Sequence, residues 1–289
     1  MNLPVGKNLQ DHVSSFVGPF LVDRPISMKL ERDVTLQEVD NFTKTGGGPL
    51  SSTGIQATAF LTTKYAAERG QPDWPDIQYL LLGTGLYGRQ DKEFSRSFNI
   101  RPGVMSKLYG EGAKDVDSFQ IMNCLSRPHS TGSVTLQGKD PLLPPLLDAN
   151  YFADDRDVKA IVEGAKLAVH IMENAPSMKA MNCRLHHVPL PGCEHVQFRS
   201  DAYWECFHRH YSLTVYHQSG TCAMGRRDSP RAVVDSELRV IGTQNLRVVD
   251  ASVMPAVTSG NTNAPTIMIG EMGANMIKSS WGKLNELIK

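Results

Sequence analysis

Two polar clusters near the C-terminal end carry the side chains best suited to chemistry. The first runs from Tyr216 to Gly225 and holds His217 and Ser219 among small residues; the second, Ser259 to Thr266, holds Asn261 and Asn263 and is followed by the apolar run Ile267 to Ile269. An imidazole can take up or release a proton near neutral pH, although a histidine before small residues is on its own more often a packed core residue. Between the clusters, Leu246 to Ser252 reads as a strand that ends in Asp250 and small residues, where backbone can approach a ligand closely. A hydrolase using Ser219 or Ser259 beside His217 is a further reading, but no G-x-S-x-G elbow is present to support it.

Other candidates weigh less. Cys193 and His195, with Cys206, His208 and His210, offer soft and imidazole ligands, but their spacing departs from that of structural zinc sites. A disulfide between Cys193 and Cys206 fits better, provided that the chain reaches an oxidising compartment; no metal site is expected. Gly83, Gly85 and Gly88 match G-x-G-x-x-G, yet the charged stretch that follows lacks the apolar periodicity of a crossover helix. A glycine-rich surface loop is the reading there.

The elements that must position these residues can be read in outline. Ala57 to Thr63, Ile77 to Leu82, Phe119 to Cys124 and Ser133 to Gln137 suit strands of one sheet, and Val233 to Val240 and Leu246 to Val249 look like strands separated by a turn around Gly242. Residues 85 to 113, rich in glycine and charge, read as a long mobile connection. Apolar residues from Val158 to Met172 recur at helical spacing after Asp154 and Asp155 and stop before Pro176; a second helix is expected from Asp201 to His210 with Ser200 as its N-cap, and a last one from about Pro265 to Ser279.

The whole chain sets limits on function. Its 289 residues carry 30 Lys plus Arg and 30 Asp plus Glu, and this zero formal charge argues against a nucleic-acid or anionic-membrane partner. No apolar run is long enough to span a membrane, and the most apolar segment, Ile77 to Leu82, is bounded by Asp76 and Gly83. Residues 1 to 12 lack the apolar centre of a signal peptide and read as the middle of a protein. Five cysteines are too few for a disulfide scaffold.

The string from Tyr216 through Lys278 resembles the C-terminal signature of the glucose-methanol-choline (GMC) family of flavin oxidoreductases, and Asn2 to His12 resembles a mid-chain segment of that family. Intervening text, such as Arg127 to Leu136 and Tyr203 to Cys206, is most similar to the insect branch, which includes FAD-dependent glucose dehydrogenases with quinone-type acceptors. The resemblance implies an α+β fold: residues 1–12 belong to an FAD-binding domain, 13–215 form a substrate domain with a mostly antiparallel sheet backed by helices, and 216–289 return to complete the FAD-binding α/β domain. The family's N-terminal G-x-G-x-x-G fingerprint does not occur, so the N-terminal half of that domain is absent; either the sequence is partial or the gene is truncated. In the second case the expectation is a remnant without flavin that binds a polyol or a protein.

The resemblance also implies an active site. His217 matches the catalytic histidine over the flavin and Asn261 its partner. Hydride leaves an alcohol carbon as the hydroxyl proton is removed, so His217 is expected as the base and Asn261 as a donor to the developing alkoxide. Asp250 and Ala251 match late contacts with the FAD ribitol and pyrophosphate, while Asn263, Ala264, Pro265 and Thr266 match the helix N-terminus that meets the flavin ring. Asn8 and Asp11 are expected to fix the loop covering the cofactor. The partners implied are an alcohol or sugar and a quinone-type or other electron acceptor, and the full-length protein is expected to be extracellular.

Overall fold

The computed structural model describes residues 2–85, 90–110, 112–113 and 116–282. The chain forms two compact units, one of residues 14–125 and 158–213, the other of 1–13, 126–157 and 214–289. Both are mixed α/β with antiparallel sheets. Residues 126–157, expected within a 13–215 body, group with the two chain ends instead.

In chain order the strands among the described residues are β1 (Lys7–Leu9), β2 (Val13–Val22), β3 (Ile55–Leu61), β4 (Ile77–Leu82), β5 (Asp117–Leu125), β6 (Gly132–Thr135), β7 (Leu146–Asp148), β8 (Arg184–Leu185) and β9 (Leu213–Thr214), the last paired with β2. The larger sheet has the order β3-β4-β5-β2-β8 and belongs to the first unit. All ten residues of β2 are buried, Ser14 and Ser15 included, so apolar and polar residues do not alternate along it. Its ladder with β5 runs to Val17, skips Gly18 and Pro19, and resumes at Phe20; a proline lacks the ladder donor and is accommodated at such an irregularity.

The helix Asp155–Asn174 supplies this unit with Val158, Ile161, Val162, Ala165, Ala168 and Val169, all buried and spaced at three and four. Gly164 lets the helix lie close to the sheet. A Cβ there would meet Asn123 Oδ1 at 2.5 Å; instead Asn123 Nδ2 donates to the Ile161 carbonyl at 2.8 Å and the Tyr79 hydroxyl to the Gly164 carbonyl at 2.5 Å. The helix Asp201–His210 begins at Ser200, whose Oγ accepts the Tyr203 N–H, and buries Tyr203, Trp204, Phe207 and His208. The expected bond joins Cys193 to Cys206. The third member of a possible zinc set, His210, therefore stands beside sulfurs already spent on each other.

Residues 85 to 113 are not one irregular connection, because helices form over Gln90–Phe98 and Val104–Tyr109. Of the glycine-rich motif, Gly83 and Gly85 are tied by backbone bonds to Gly54 and Met28, and Gly85 is buried rather than on the surface; positions 86–89, including Gly88, lie outside the described residues.

The second unit contains a three-stranded sheet of order β1-β6-β7. The strand at Ser133 therefore belongs to a sheet separate from β3, β4 and β5, paired through Lys7 and Ser133 on one side and Val134 and Leu147 on the other. Val233, Val234, Leu238, Val253, Met254 and Ile269 form the core of this unit. The strands expected at 233–240 and 246–249 are reduced to isolated bridges. Asp235 is the reason: its Oδ1 takes the N–H groups of Glu237 and Arg239 at 2.9 and 3.1 Å, so the side chain folds the backbone into a turn where a ladder would continue. The last helix, Asn263–Ser280, packs through Ile269 and Gly273; a Cβ at Gly273 would lie 2.3 Å from Val249 Cγ1. Among the described residues no helix is long and apolar enough to cross a membrane.

Candidate active site

The site is assembled within the second unit from chain segments far apart in sequence. Gln10 and Ser219 exchange backbone hydrogen bonds, each 2.9 Å, which lays the segment around His12 beside the one around His217. The Gln10 side chain extends this link. Its Nε2 donates to Asn8 Oδ1 and the Pro255 carbonyl, and its Oε1 accepts the Val257 N–H, all at 3.1 Å. Asn8 Nδ2 donates to the carbonyls of Gly220 and Pro255.

Gly220 is required by this arrangement. Its φ is +88°, and a Cβ would lie 2.4 Å from the Asn8 carbonyl oxygen. Tyr216 also adopts a left-handed conformation, φ 61°, which a bulky residue rarely takes up without compensation from its surroundings. Here Thr214 Oγ1 accepts the Tyr216 N–H at 2.9 Å.

Asp11 is buried and anchors the turn that carries His217. Its Oδ1 accepts the His217 backbone N–H at 2.9 Å, while Oδ2 accepts the Thr214 hydroxyl at 2.5 Å, the Gln218 side-chain amide at 3.4 Å and the Tyr151 hydroxyl. The donor set suits a carboxylate, which supplies only acceptors.

The His217 ring is held between two partners. Its Nδ1 lies 2.8 Å from His12 Nδ1, with the two rings nearly perpendicular at 89°. On the other edge, Nε2 lies 3.4 Å from Asn261 Nδ2. Burial lowers the pKa of His217 below 6.5 and the nearby Asp11 opposes that shift. For His12, burial and then the adjacent His217 push the value down to about 4, against a smaller opposing effect of Asp11. Both imidazoles are therefore neutral near pH 7, and whichever nitrogen of His217 carries the lone pair can accept a proton.

The other expected site residues lie around this centre. Asp250 caps a short 3-10 turn, Ala251–Val253, by accepting the Ser252 N–H at 2.7 Å. That turn is bonded to the histidine segment through Gly220 N–H to the Ala251 carbonyl and Cys222 N–H to the Ser252 carbonyl. Asn263, Ala264, Pro265 and Thr266 form the first turn of the last helix; Asn263 and Ala264 are exposed, and Thr262, at the N-cap, makes no side-chain capping bond. Asn8 and Asp11 both bind the 214–220 segment. Ser219 Oγ is buried without a hydrogen-bond partner, so it does not form the Ser-His contact that a hydrolase requires.

Sequence reasoning assigned no role to His12, Tyr151, Thr214 or Gln10. His12 follows Asp11 directly, and both contact His217, Asp11 at its backbone and His12 at its ring; that adjacency is the available signal. Tyr151 and Thr214 carry none, because only the fold brings their hydroxyls to Asp11.

Comparison with known proteins points to one family. The GMC oxidoreductase family model matches residues 128–270. The chain is 39% identical over 282 residues to a glucose dehydrogenase [FAD, quinone] of Drosophila pseudoobscura pseudoobscura, an alignment that covers 96% of this chain and 41% of the relative. It is 33% identical over 279 residues to an alcohol dehydrogenase [acceptor] of Pseudomonas putida, covering 94% and 44%. Among solved structures, a formate oxidase of Aspergillus oryzae superimposes with a TM-score of 0.74 at 22% identity, over 96% of this chain and 48% of that one. The chain thus spans less than half the length of these relatives. The shared segments include both site clusters, and the chain belongs to the GMC oxidoreductase family.

Proposed function

We propose that this chain is the C-terminal portion of an FAD-dependent oxidoreductase that acts on the CH–OH group of an alcohol or sugar, with a quinone-type or other acceptor taking the electrons. The observation that carries the reading is the placement of His217 Nε2 beside Asn261 Nδ2, 3.4 Å apart, with the opposite ring edge of His217 held by His12. One imidazole edge facing a carboxamide is the arrangement needed to bind a hydroxyl and remove its proton. His217 accepts that proton at Nε2. Asn261 donates to the oxygen as negative charge develops, a contribution of roughly 3 kcal/mol where comparable donors have been removed.

FAD, when bound, supplies the two-electron acceptor that no side chain provides. The residues present fit such a group. The first turn of the helix Asn263–Ser280 has exposed small residues and no side-chain cap, and Ile267 and Met268, exposed by 58% and 54%, follow about one turn later. Free N–H groups and partial positive charge at a helix N-terminus suit the electron-rich edge of a flat ring, and apolar side chains suit its faces. Asp250 and Ala251 would hold the ribitol and pyrophosphate portion, and Asn8 and Asp11 keep the 214–220 segment in place. On this reading residues 1–12 and 216–289 belong to the FAD-binding domain, together with 126–157, which group with them, and the rest of 13–215 to the substrate domain. Secretion of the full-length protein is part of the proposal, supported by the Cys193–Cys206 disulfide.

The test is flavin binding followed by reduction. The protein is expressed with any sequence encoded upstream, titrated with FAD, and mixed with candidate alcohols and sugars without oxygen. Binding and loss of the yellow flavin absorbance with at least one of them is expected. Failure to bind FAD would overturn the proposal.

A further inference from the structure

Two imidazoles that meet through the same ring position are chemically restricted. At 2.8 Å, His12 Nδ1 and His217 Nδ1 must share one N–H and one lone pair. With both rings neutral, each carries a single proton, so only two arrangements are possible. If His12 donates, the proton of His217 sits on Nε2. That atom then presents an N–H toward the Asn261 amide nitrogen, itself a donor, and the lone pair needed for base chemistry is turned inward.

If His217 donates, its Nε2 carries the lone pair. The Asn261 N–H can then donate to it, and the proton of His12 falls on Nε2. That atom is buried without a hydrogen-bond partner, while backbone of Thr258 and Ser126 favours protonation of the His12 ring. The second arrangement turns the Asn261 N–H toward a lone pair, whereas the first sets two donors face to face.

We propose that His12 is a positioning residue that accepts the Nδ1–H of His217 and thereby fixes His217 in the tautomer whose Nε2 lone pair faces Asn261. This inference rests on the reading of His217 as the base. A carboxylate at this position would also orient the ring, but it would raise the proton affinity of His217. A neutral imidazole orients without that pull. The neighbouring carboxylate of Asp11 spends its oxygens on the His217 backbone N–H and on the hydroxyl and amide donors of Tyr151, Thr214 and Gln218.

The tautomers are directly observable. In the full chain labelled with 15N-histidine, long-range 1H–15N correlation spectra near neutral pH should show His217 protonated at Nδ1 and bare at Nε2, and His12 the reverse. His12→Phe removes the acceptor and should shift His217 toward the Nε2–H form, while His12→Asn, whose carboxamide oxygen can accept the same bond, should restore Nδ1–H. A wild-type His217 protonated at Nε2, or a His217 tautomer unmoved by His12→Phe, overturns the proposal; the wild-type spectrum decides the matter even if a variant does not fold. In FAD-loaded protein, flavin reduction should fall by at least ~10-fold in His12→Phe and recover in His12→Asn. The spectra need no flavin, so failure of the wider redox reading leaves the tautomer result standing and the two failures can be told apart.

Discussion

The backbone N–H of His217 donates to Asp11 Oδ1 at 2.9 Å across 206 positions of sequence. A single carboxylate thus joins the N-terminal segment to the turn that presents the imidazole, and its second oxygen gathers the donors of Tyr151, Thr214 and Gln218.

Asp11→Asn is expected to loosen that turn. The new amide brings N–H groups to a place where every neighbour is already a donor, and unsatisfied buried donors cost about 1 to 3 kcal/mol. Chemical denaturation should show a loss of this size. A variant as stable as the parent would show that Asp11 does not anchor the turn.

The buried histidines make the protein acid-sensitive. For His12 and His208 burial lowers the folded-state pKa from 6.5 to about 4 and about 3. The unfolded chain therefore binds protons first as pH falls. The stabilisation is complete above about pH 6.5 and is lost progressively as pH drops toward those lower values; for His12 the shift corresponds to about 3 kcal/mol. Urea midpoints measured from pH 7.5 downward should fall across this window, and less steeply in His12→Phe. A flat profile between about pH 6.5 and pH 4 contradicts the assignment.

Reduction of Cys193–Cys206, which closes a loop of sequence separation 13, should destabilise the unit that contains it by about 3 kcal/mol. Comparing thermal unfolding of the parent with that of a Cys193→Ser, Cys206→Ser double variant tests this. Equal transition temperatures would mean that the bond adds nothing to stability.

Gly220→Ala meets two penalties at one position: a φ of +88° and a Cβ placed 2.4 Å from the Asn8 carbonyl oxygen. The backbone there must move. A loss of at least ~2 kcal/mol is expected, accompanied in spectra of the labelled protein by shifts in the His217 ring signals. Unchanged stability and unchanged ring signals would contradict the close approach.

The parts legible in the sequence were those governed by local chemistry. Apolar spacing from Val158 to Val169 marked the helix Asp155–Asn174, and Ser200 marked the start of Asp201–His210. His217 and Asn261 were legible through their motifs and do face each other. Strands at 233–240 were misread because propensity favours the valines, whereas Asp235 captures the backbone donors that follow. The helices Gln90–Phe98 and Val104–Tyr109 were missed because glycine and charge dominate around them. The grouping of β6 and β7 with β1 depends on long-range pairing such as Lys7 with Ser133, and no local pattern reports it. His12 is similar, since its role exists only once the bridge between Gln10 and Ser219 is formed.

The most direct measurement is anaerobic flavin reduction by an accepted alcohol or sugar in FAD-loaded protein, comparing the parent with His217→Ala. The variant should keep the yellow colour of bound flavin while its reduction slows by at least ~100-fold. Reduction at the parental rate in His217→Ala would show that the imidazole beside Asn261 is not the base.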